Sequence, residues 1–451
     1  MTLEQFGYED QLDRALSLSD LIIYGMIFMV PIAPFSVFGF VWQDARGMVV
    51  LAYLIGLVGM LFTALSYAAM SRAYPLAGSV YAYVQRGLHE TAGFLAGWLI
   101  LLDYILIPAL LYLFSAAALQ PLLPQVPSWA WLTGFVVLNA AANLLGVRVT
   151  ARLYRVLLAL QLLVLAWFVI VGAKALYEGQ GPGLTLTPLY DAHSFSLATV
   201  ASATAIAVLS FLGFDGISTL SEESAGTRNA IAEATVASLL LIGALFVLQT
   251  WIATDLARGM RFSSAETAFY EIAARAGGKG LGLAAILAVV ISFGIANAMA
   301  AQAAVSRVLF AMARDRKLPR ALAAIHPRFK TPYVSMLLVA GVSLLVGLFF
   351  DRRIDDLSRV VNFGALTSFA LLHLAVVYHY FFRQRSGAWV RHFICPVAGF
   401  GVILYVLYGM DHTAKLLGGS WIAAGVACYL AQLVNARLRA GSASIPRSRE
   451  G

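Results

Sequence analysis

The chain has 451 residues, of which 61% are hydrophobic and only 12% are charged. Its mean hydropathy of +0.81 excludes a soluble globular protein of this length and indicates an integral membrane protein that contacts the lipid bilayer. The net charge of +8 fits cytoplasmic loops that face anionic lipid, and no clustered basic face suggests binding to nucleic acid.

Hydrophobic runs long enough to cross a bilayer about 30 Å thick follow one another along almost the whole chain. About twelve such runs predict twelve transmembrane helices, over residues 18–42, 47–71, 93–119, 129–147, 153–177, 198–221, 229–254, 277–305, 332–350, 357–382, 394–410 and 418–436. The first run is too long for a cleaved signal peptide, so we expect it to remain as a span. Lys and Arg are roughly twice as frequent at the ends on the N-terminal side of the membrane, which predicts that both termini are cytoplasmic.

The first and sixth runs are both interrupted in the middle, at residues 29–34 (MVPIAP) and 211–216 (FLGFDG). Proline removes a backbone donor and glycine relaxes a helix, and an unpaired peptide group is costly in hydrocarbon. Such breaks therefore persist only where they face protein, water or a ligand. Two broken helices five runs apart predict one central binding site, as in transporters built from inverted repeats.

This spacing also predicts the organisation of a single all-α transmembrane domain over residues 1–451. The first repeat would cover 16–177 and the second 195–382, and an odd number of runs in each unit turns the second upside down relative to the first. Two further helices over 391–439 and a cytoplasmic tail over 440–451 would follow. Between the seventh and eighth runs, residues 263–275 predict a short helix on the outer surface.

Acidic residues inside the spans are the clearest functional candidates, because a carboxylate in a membrane needs a partner or a function. Asp215 lies in the second break and could hold a substrate ammonium or take up a proton; the alternative is that it only caps the half-helix that follows. Asp103 lies within the third run beside Tyr104. It could bind a cation from the substrate pathway, or pair with a buried donor such as Arg307.

Two glutamates at the end of the sixth run suggest gating more than substrate contact, and two histidines lie within the tenth run. Glu222 and Glu223 end the sixth run just before a cytoplasmic loop, and we interpret them as a gate, an ion pair or a proton-coupling pair. His373 and His379 in the tenth run could relay protons, but a hydrogen-bonded core histidine is the commoner case and is the one we expect.

Aromatic residues near the breaks could line a cation site through cation–π contact, although most Phe in a membrane protein pack against protein or face lipid. The candidates are Phe211, Phe214, Phe293 and Phe363.

The sequence has no HExxH, GxSxG, P-loop or clustered His and Cys motif, so we predict no enzyme, no metal site and no cofactor. Cys395 and Cys428 are interpreted as packing residues.

Residues 306–335 (SRVLFAMARDRKLPRALAAIHPRFKTPYVS) resemble the loop after the eighth helix in the amino acid/polyamine/organocation superfamily. Within it the chain is most similar to bacterial putrescine importers, through residues 28–39 (FMVPIAPFSVFG), 101–108 (LLDYILIP), 210–223 (SFLGFDGISTLSEE) and 362–369 (NFGALTSF). The resemblance runs from about residue 16 to 410. It implies a LeuT-like fold of two inverted five-helix repeats plus two extra helices, in the bacterial inner membrane.

The resemblance also bears on the site. In related polyamine and arginine exchangers the sixth-helix break carries an acidic residue implicated in recognition or gating, and Asp215 falls at that place. Amino-acid members usually have a glycine-rich first break whose amides receive the substrate carboxylate; the first break here has two prolines and no glycine, which fits a diamine better. Gln161 stands where some proton-coupled members carry a lysine, so coupling through that lysine is excluded.

These observations predict a secondary transporter that imports putrescine or a related polyamine by alternating access, with a proton as coupling ion. The expected substrate-binding residues are Val30, Ile32, Ala33, Asp103, Tyr104, Phe211 and Asp215. The alternative is an amino acid permease of the same fold, which would use the amides of Val30, Ile32 and Ala33. A non-transporting membrane sensor is a third possibility, but the short tails offer no dedicated soluble domain.

Overall fold

The computed structural model describes residues 14–120, 122–145, 147–225, 227, 229–351 and 353–443, and for 147–151 and 435–443 it describes the backbone alone. In this part of the chain the secondary structure is helical, and the one β-type contact is an isolated parallel bridge between Leu16 and Ser224. The predicted all-α class is confirmed.

Fifteen α-helices run through the described residues: α1 (Leu18–Met29), α2 (Pro34–Ala45), α3 (Val49–Ala73), α4 (Ser79–Gly87), α5 (Glu90–Leu119), α6 (Ser128–Leu144), α7 (Val147–Tyr177), α8 (Leu197–Ala207), α9 (Ala230–Ala257), α10 (Ala268–Ile291), α11 (Ala298–Arg314), α12 (Tyr333–Phe349), α13 (Ile354–Val376), α14 (Cys395–Gly409) and α15 (His412–Ala443). Nine helical segments among the described residues are long and apolar enough to cross a membrane, and the bent pair of α1 and α2 makes a tenth. The remaining two predicted runs fall on α6 and α12, which have 17 residues each.

The first predicted break is present between α1 and α2. Helix α1 ends at Met29, Val30 takes a positive φ of 58°, and α2 begins at Pro34 with an angle of 49° between the two helices. Pro31 has no N–H group with which to continue α1, and Pro34 stands at the first position of α2, where a missing donor costs nothing.

The second predicted break is present as well, and it is longer than the sequence suggests. Helix α8 ends at Ala207 and is followed by a 3₁₀ turn (Val208–Phe211), an extended residue and a second 3₁₀ segment (Phe214–Leu220), where the sequence led us to expect a half-helix. Gly213 has a φ of +116°, and a methyl group there would lie 2.8 Å from the Phe28 ring of α1. The two breaks are therefore in direct contact.

The segment between α9 and α11 departs from the prediction at its start. The expected surface helix begins at Ala268, five residues later than predicted, and forms the first part of α10. Gly277 and Gly278 interrupt that helix, the second with a φ of 73°. A π-helical segment, Ser292–Asn297, then joins α10 to α11.

Helix α5, which is 30 residues long, lies at the centre of the packing and contacts α4, α11 and α13. It is also fixed to α15 by a reciprocal pair of tryptophans. The indole N–H of Trp98 donates to the Trp421 carbonyl at 2.9 Å, that of Trp421 donates to the Trp98 carbonyl at 2.8 Å, and the rings stack with centroids 4.7 Å apart. This arrangement holds the helix that carries Asp103 and Tyr104.

Candidate functional site

A narrow cavity lies where the two breaks meet α5 and the π segment. Water can occupy about 30 Å³ of it, which is room for about one molecule. We call it the central cavity; its lining residues are Phe28, Met29, Ala33, Val37, Asp103, Tyr104, Ile107, Leu110, Leu111, Phe114, Leu209, Ser210, Leu212, Gly213, Phe293 and Asn297. A larger ligand requires the surrounding helices to move.

Asp103 is the carboxylate that faces the central cavity. Its side chain is nearly buried, at 2% exposure, and among the described residues it makes no hydrogen bond and no ion pair. The suggested partner Arg307 pairs with Glu223 instead. A buried carboxylate without a partner carries uncompensated negative charge, so this position favours a bound cation.

Asp215 lies behind Tyr104 and does not line the cavity. Its carboxylate is fully buried and accepts a hydrogen bond from the Tyr104 hydroxyl and another, at 3.3 Å, from the Gly213 amide. Both interpretations of Asp215 thus have a structural counterpart, because it binds the backbone of its own break and also contacts a cavity residue. Displacement of the Tyr104 hydroxyl would bring Asp215 into contact with a ligand.

The backbone of the first break offers acceptors more than donors. The Val30 amide donates to the Met26 carbonyl and the Ala33 amide to the Val30 carbonyl, both at 2.9 Å. The carbonyls of Phe28 and Met29, at the C-terminal end of α1, receive no backbone amide within the described break. Carbonyls at the end of a half-helix attract a cation and repel a carboxylate.

Besides Asp215, three residues expected at the site lie apart from the cavity. Val30 and Ile32 are fully buried but do not line it, whereas Ala33 does. Phe211 packs against Phe246 and Tyr53, with ring centroids 5.0 Å and 6.1 Å away. It therefore packs the second break against α3 and α9 and does not line the cavity.

Of the other aromatic candidates, only Phe293 lines the central cavity. It packs against Phe114, with ring centroids 5.7 Å apart. Phe214 packs against Tyr67 and Phe363 lies against Gly418 of α15. The Phe114 and Phe293 pair forms the aromatic wall of the site.

Sequence reasoning missed three polar residues at or beside the site, as well as Phe114 and the aliphatic lining. Ser210 and Asn297 line the cavity, and the Gln249 side chain on α9 donates to the Pro31 carbonyl at 2.8 Å and so supports the first break. A single amide within an apolar run, as in GIANAMA, is the signal that could have identified Asn297.

A second and larger chamber lies between the end of α5, the start of α2 and helix α10, on the predicted outer side. Water can occupy about 740 Å³ of it, and its polar lining includes Glu266, Glu271 and Lys279. Phe114 lines both this outer chamber and the central cavity. The Phe114 side chain is therefore the element that separates them.

Two ion pairs close the opposite, predicted cytoplasmic, side. Arg307 forks onto Glu223, with one nitrogen-to-oxygen distance of 3.1 Å, and both side chains are 6% exposed. Arg314 makes two bonds of 3.0 Å to Glu222, which also accepts the Ala77 amide at 3.1 Å. These bidentate, buried pairs join the second break to α11.

The start of α1 is attached to the same place. The backbone around Leu16 forms the isolated bridge with Ser224, through bonds of 2.9 Å and 3.1 Å. The Tyr24 hydroxyl donates to the Ala300 carbonyl of α11 at 3.0 Å. The first helix, the second break and α11 are thereby joined on one side, while the outer chamber remains open on the other.

The remaining polar candidates are structural in character. His373 binds Ser66 at 2.9 Å and Thr63 at 3.2 Å in the protein interior, as expected for a hydrogen-bonded core histidine. Gln161 is fully buried, and its amide has no hydrogen-bond partner in the described part of the chain. No group of three or more His, Cys, Asp or Glu side chains within the described residues could hold a metal ion.

Residues 16–410 match the sequence model of the family described as "Amino acid permease". The low-affinity putrescine importer PlaP of Escherichia coli strain K12 is 31% identical over 93% of this chain and 94% of its own length. The branched-chain amino acid permease BcaP of Bacillus subtilis strain 168 is 25% identical over 93% of each chain. The methylthioribose transporter of the same organism is 25% identical over 95% of each chain.

Proposed function

We propose that this protein, which belongs to the amino acid permease family, imports a small organic cation, putrescine or a related polyamine, by alternating access. The observation that carries the proposal is the unpaired Asp103 carboxylate in the cavity where the two breaks meet. The likeness to a putrescine importer over most of both chains supports the same substrate class.

Binding would begin at Asp103, with one ammonium group against its carboxylate. The carbonyls of Phe28 and Met29 supply further acceptors, and Phe114 and Phe293 offer aromatic faces to the cation. The second ammonium of a diamine would replace the Tyr104 hydroxyl on Asp215. Because the central cavity admits about one water, the helices must separate to admit the substrate and close around it.

We place alternating access in the inverted-repeat arrangement predicted above, with residues 16–177 and 195–382 as the repeats and 391–439 as two additional helices. The broken helix pair α1–α2, helix α3, the broken segment Leu197–Leu220 and α9 would rock against the rest. Separation of Glu222 and Glu223 from their arginines would open the path to the cytoplasm. Both termini would then lie in the cytoplasm and the protein in the bacterial inner membrane.

A proton is the coupling ion that this chemistry favours. A proton that enters from outside on one of the two carboxylates, Asp103 or Asp215, while the other holds the ammonium, would travel inward with the substrate. On the cytoplasmic side its passage to the second carboxylate would remove the charge that holds the ammonium, so that the substrate and then the proton are released there. Gln161 stands where some proton-coupled relatives carry a lysine, so the proton would have to be carried by the two carboxylates. The transporter would act as a symporter.

The second candidate is an amino acid permease, which the likeness to the branched-chain permease BcaP favours. Such a substrate needs a partner for its α-carboxylate. In this structure the Val30 and Ala33 amides bind carbonyls of their own break, and the cavity faces them with Asp103. This arrangement supports the cation over the amino acid.

Uptake into proteoliposomes tests the proposal. With labelled putrescine and an inward proton gradient, we expect uptake that unlabelled diamines displace and branched-chain amino acids do not. Uptake of an α-amino acid without uptake of any diamine would refute the cation proposal. Accumulation that is insensitive to the gradient would refute proton coupling alone.

The carboxylates are tested in the same assay. We expect Asp103→Asn and Asp215→Asn to lose at least about nine-tenths of the uptake, since each removes a charge that the ammonium groups require. Glu178→Gln, at an exposed position after α7, is the matched control and should retain uptake. Uptake near that of the wild-type protein in Asp103→Asn would remove it from the binding site.

A further inference from the structure

Asn297 is the last residue of the π-helical segment between α10 and α11, and its side chain lines the central cavity at 5% exposure. A π turn holds more residues than an α turn and redirects the side chains that follow it; such turns often occur at functional sites. Here the wide turn brings a polar amide to a wall that is otherwise made of Phe293 and aliphatic side chains.

The Asn297 amide is unusual among the buried asparagines of this protein. Asn139 donates to the Phe135 and Gly294 carbonyls at 2.8 Å and 2.7 Å, and Asn143 donates to the Met299 carbonyl at 2.9 Å. The oxygens of Asn139, Asn297 and Asn362 are all buried without a partner, but the Asn362 nitrogen also donates, to the Ala205 carbonyl at 2.9 Å, so that within the described residues only the Asn297 side chain makes no hydrogen bond at all. A ligand would reach its oxygen when the surrounding helices separate. Such a group is unfavourable in the protein interior unless a ligand or a water molecule supplies a partner.

Asp103 and Asn297 reach the same cavity from different helices, and neither has a partner in the described protein. An ammonium group has three donors and no acceptor, so one carboxylate cannot satisfy it alone. The carboxylate of an amino acid would meet negative charge at the same place. The two side chains together thus form an acceptor set for a primary amine.

We propose that Asn297 is a specificity-determining residue, which binds together with Asp103 one and the same ammonium group of the substrate. This inference rests on the proposed function and names the second side chain of that site. Asp103 supplies the negative charge. Asn297 supplies a neutral acceptor that does not itself take up a proton, and a carbonyl at the end of α1 supplies the third acceptor.

Equilibrium binding of labelled putrescine to the purified full-length protein tests the inference without transport. Asn297→Leu keeps a similar size and removes the acceptor, and we expect it to weaken binding about tenfold or more, as for a lost hydrogen bond to a charged group. Asn297→Asp retains an oxygen at the same position and should bind at least as tightly as the wild type. Ser292→Ala is the matched control, since its hydroxyl is also buried without a described partner in the same π segment but does not line the cavity.

A double-mutant cycle then asks whether the two side chains hold one group. If they share the ammonium, the losses in Asp103→Asn and Asn297→Leu are not additive, so the double variant binds more tightly than the product of the single losses predicts. Additive losses, or an Asn297→Leu variant that binds like the wild type, would overturn the inference while the import of diamines stands.

If the proposed function is wrong, this experiment gives a different result, because the wild-type protein then binds no diamine at any concentration. The same variants would in that case be measured with the amino acid that does bind, since its α-ammonium group tests the same acceptors. A tenfold loss in Asn297→Leu for that ligand would preserve the Asn297 assignment, and unchanged binding would reject it. A thermal-unfolding midpoint for each ligand-free variant separates loss of binding from loss of folding.

Discussion

The ion pair between Glu223 and Arg307 is expected to determine which side of the protein is closed. Both side chains are 6% exposed, so water screens the pair little. Glu223→Gln removes the negative charge and leaves the Arg307 guanidinium buried without its counterion. Breaking a buried pair in this way costs about 3–5 kcal/mol, which the protein avoids if the cytoplasmic side opens and hydrates the arginine. The ratio of closed to open protein should therefore fall by about 100- to 5,000-fold.

Cysteine accessibility measures this shift. Leu220 is 1% exposed in the 3₁₀ segment just before the gate, so a Leu220→Cys variant reports opening. The two native cysteines, Cys395 and Cys428, are first replaced by serine. In inside-out vesicles we expect a membrane-impermeant maleimide to react at least about tenfold faster when Glu223→Gln is added, since a modest part of the shift is enough to expose the thiol.

The control for this prediction is the double variant Glu223→Gln, Arg307→Met. It removes both charges and so leaves no unpaired guanidinium; its labelling should return toward the rate with the native pair. A labelling rate in Glu223→Gln equal to that of the native pair, with normal folding and expression, would refute the role of the pair in keeping this side closed.

Three further predictions concern the scaffold. Gly213→Ala should lose most uptake and about 1–3 kcal/mol of stability, because Gly213 has a positive φ and Phe28 approaches it closely. The control is Gly259→Ala, where φ is 76° and the space around the residue is open. Equal effects of the two substitutions would contradict the role of the Phe28 contact. Gln249→Leu leaves a carbonyl of the first break without its side-chain donor and should cost about 1–3 kcal/mol, measured as a lower thermal-unfolding midpoint. Trp98→Phe removes one hydrogen bond between α5 and α15 and should cost about 1 kcal/mol; a midpoint like that of the wild type would show that the tryptophan pair adds nothing.

The breaks could be predicted from sequence because each combines two prolines or two glycines within a few residues, whereas the single Pro108 is accommodated inside the continuous helix α5. Pro31 cannot donate to a preceding carbonyl, and Gly213 takes a backbone conformation that other residues resist. Hydrophobic runs likewise predict where helices lie. The start of α10 was misplaced by five residues because Ser263 and Ser264 favour a capping position without fixing which turn follows.

The direction in which individual side chains point could not be predicted, because it depends on how each helix is rotated about its axis and on whether it is locally α, 3₁₀ or π. In an apolar protein the hydrophobic pattern barely distinguishes a face toward lipid from a face toward protein, so the sequence did not show that Phe211 packs against Tyr53 and Phe246 and does not line the cavity. The screening of Asp215 by Tyr104 brings together residues 111 positions apart. Asn297 reaches the cavity at the end of a π turn, which no composition rule announces.

The tryptophan pair has a mechanical consequence for the two acidic side chains. Asp103 belongs to a helix that is joined to α15 by hydrogen bonds in both directions, whereas Asp215 belongs to a short 3₁₀ segment that follows Gly213, where the helix is interrupted. Relative motion of these parts would change the span between the two negative groups. A doubly charged ligand that bridges them would fix the distance between the two carboxylates. The number of carbon atoms between its ammonium groups would then determine which conformation of the transport cycle it stabilises.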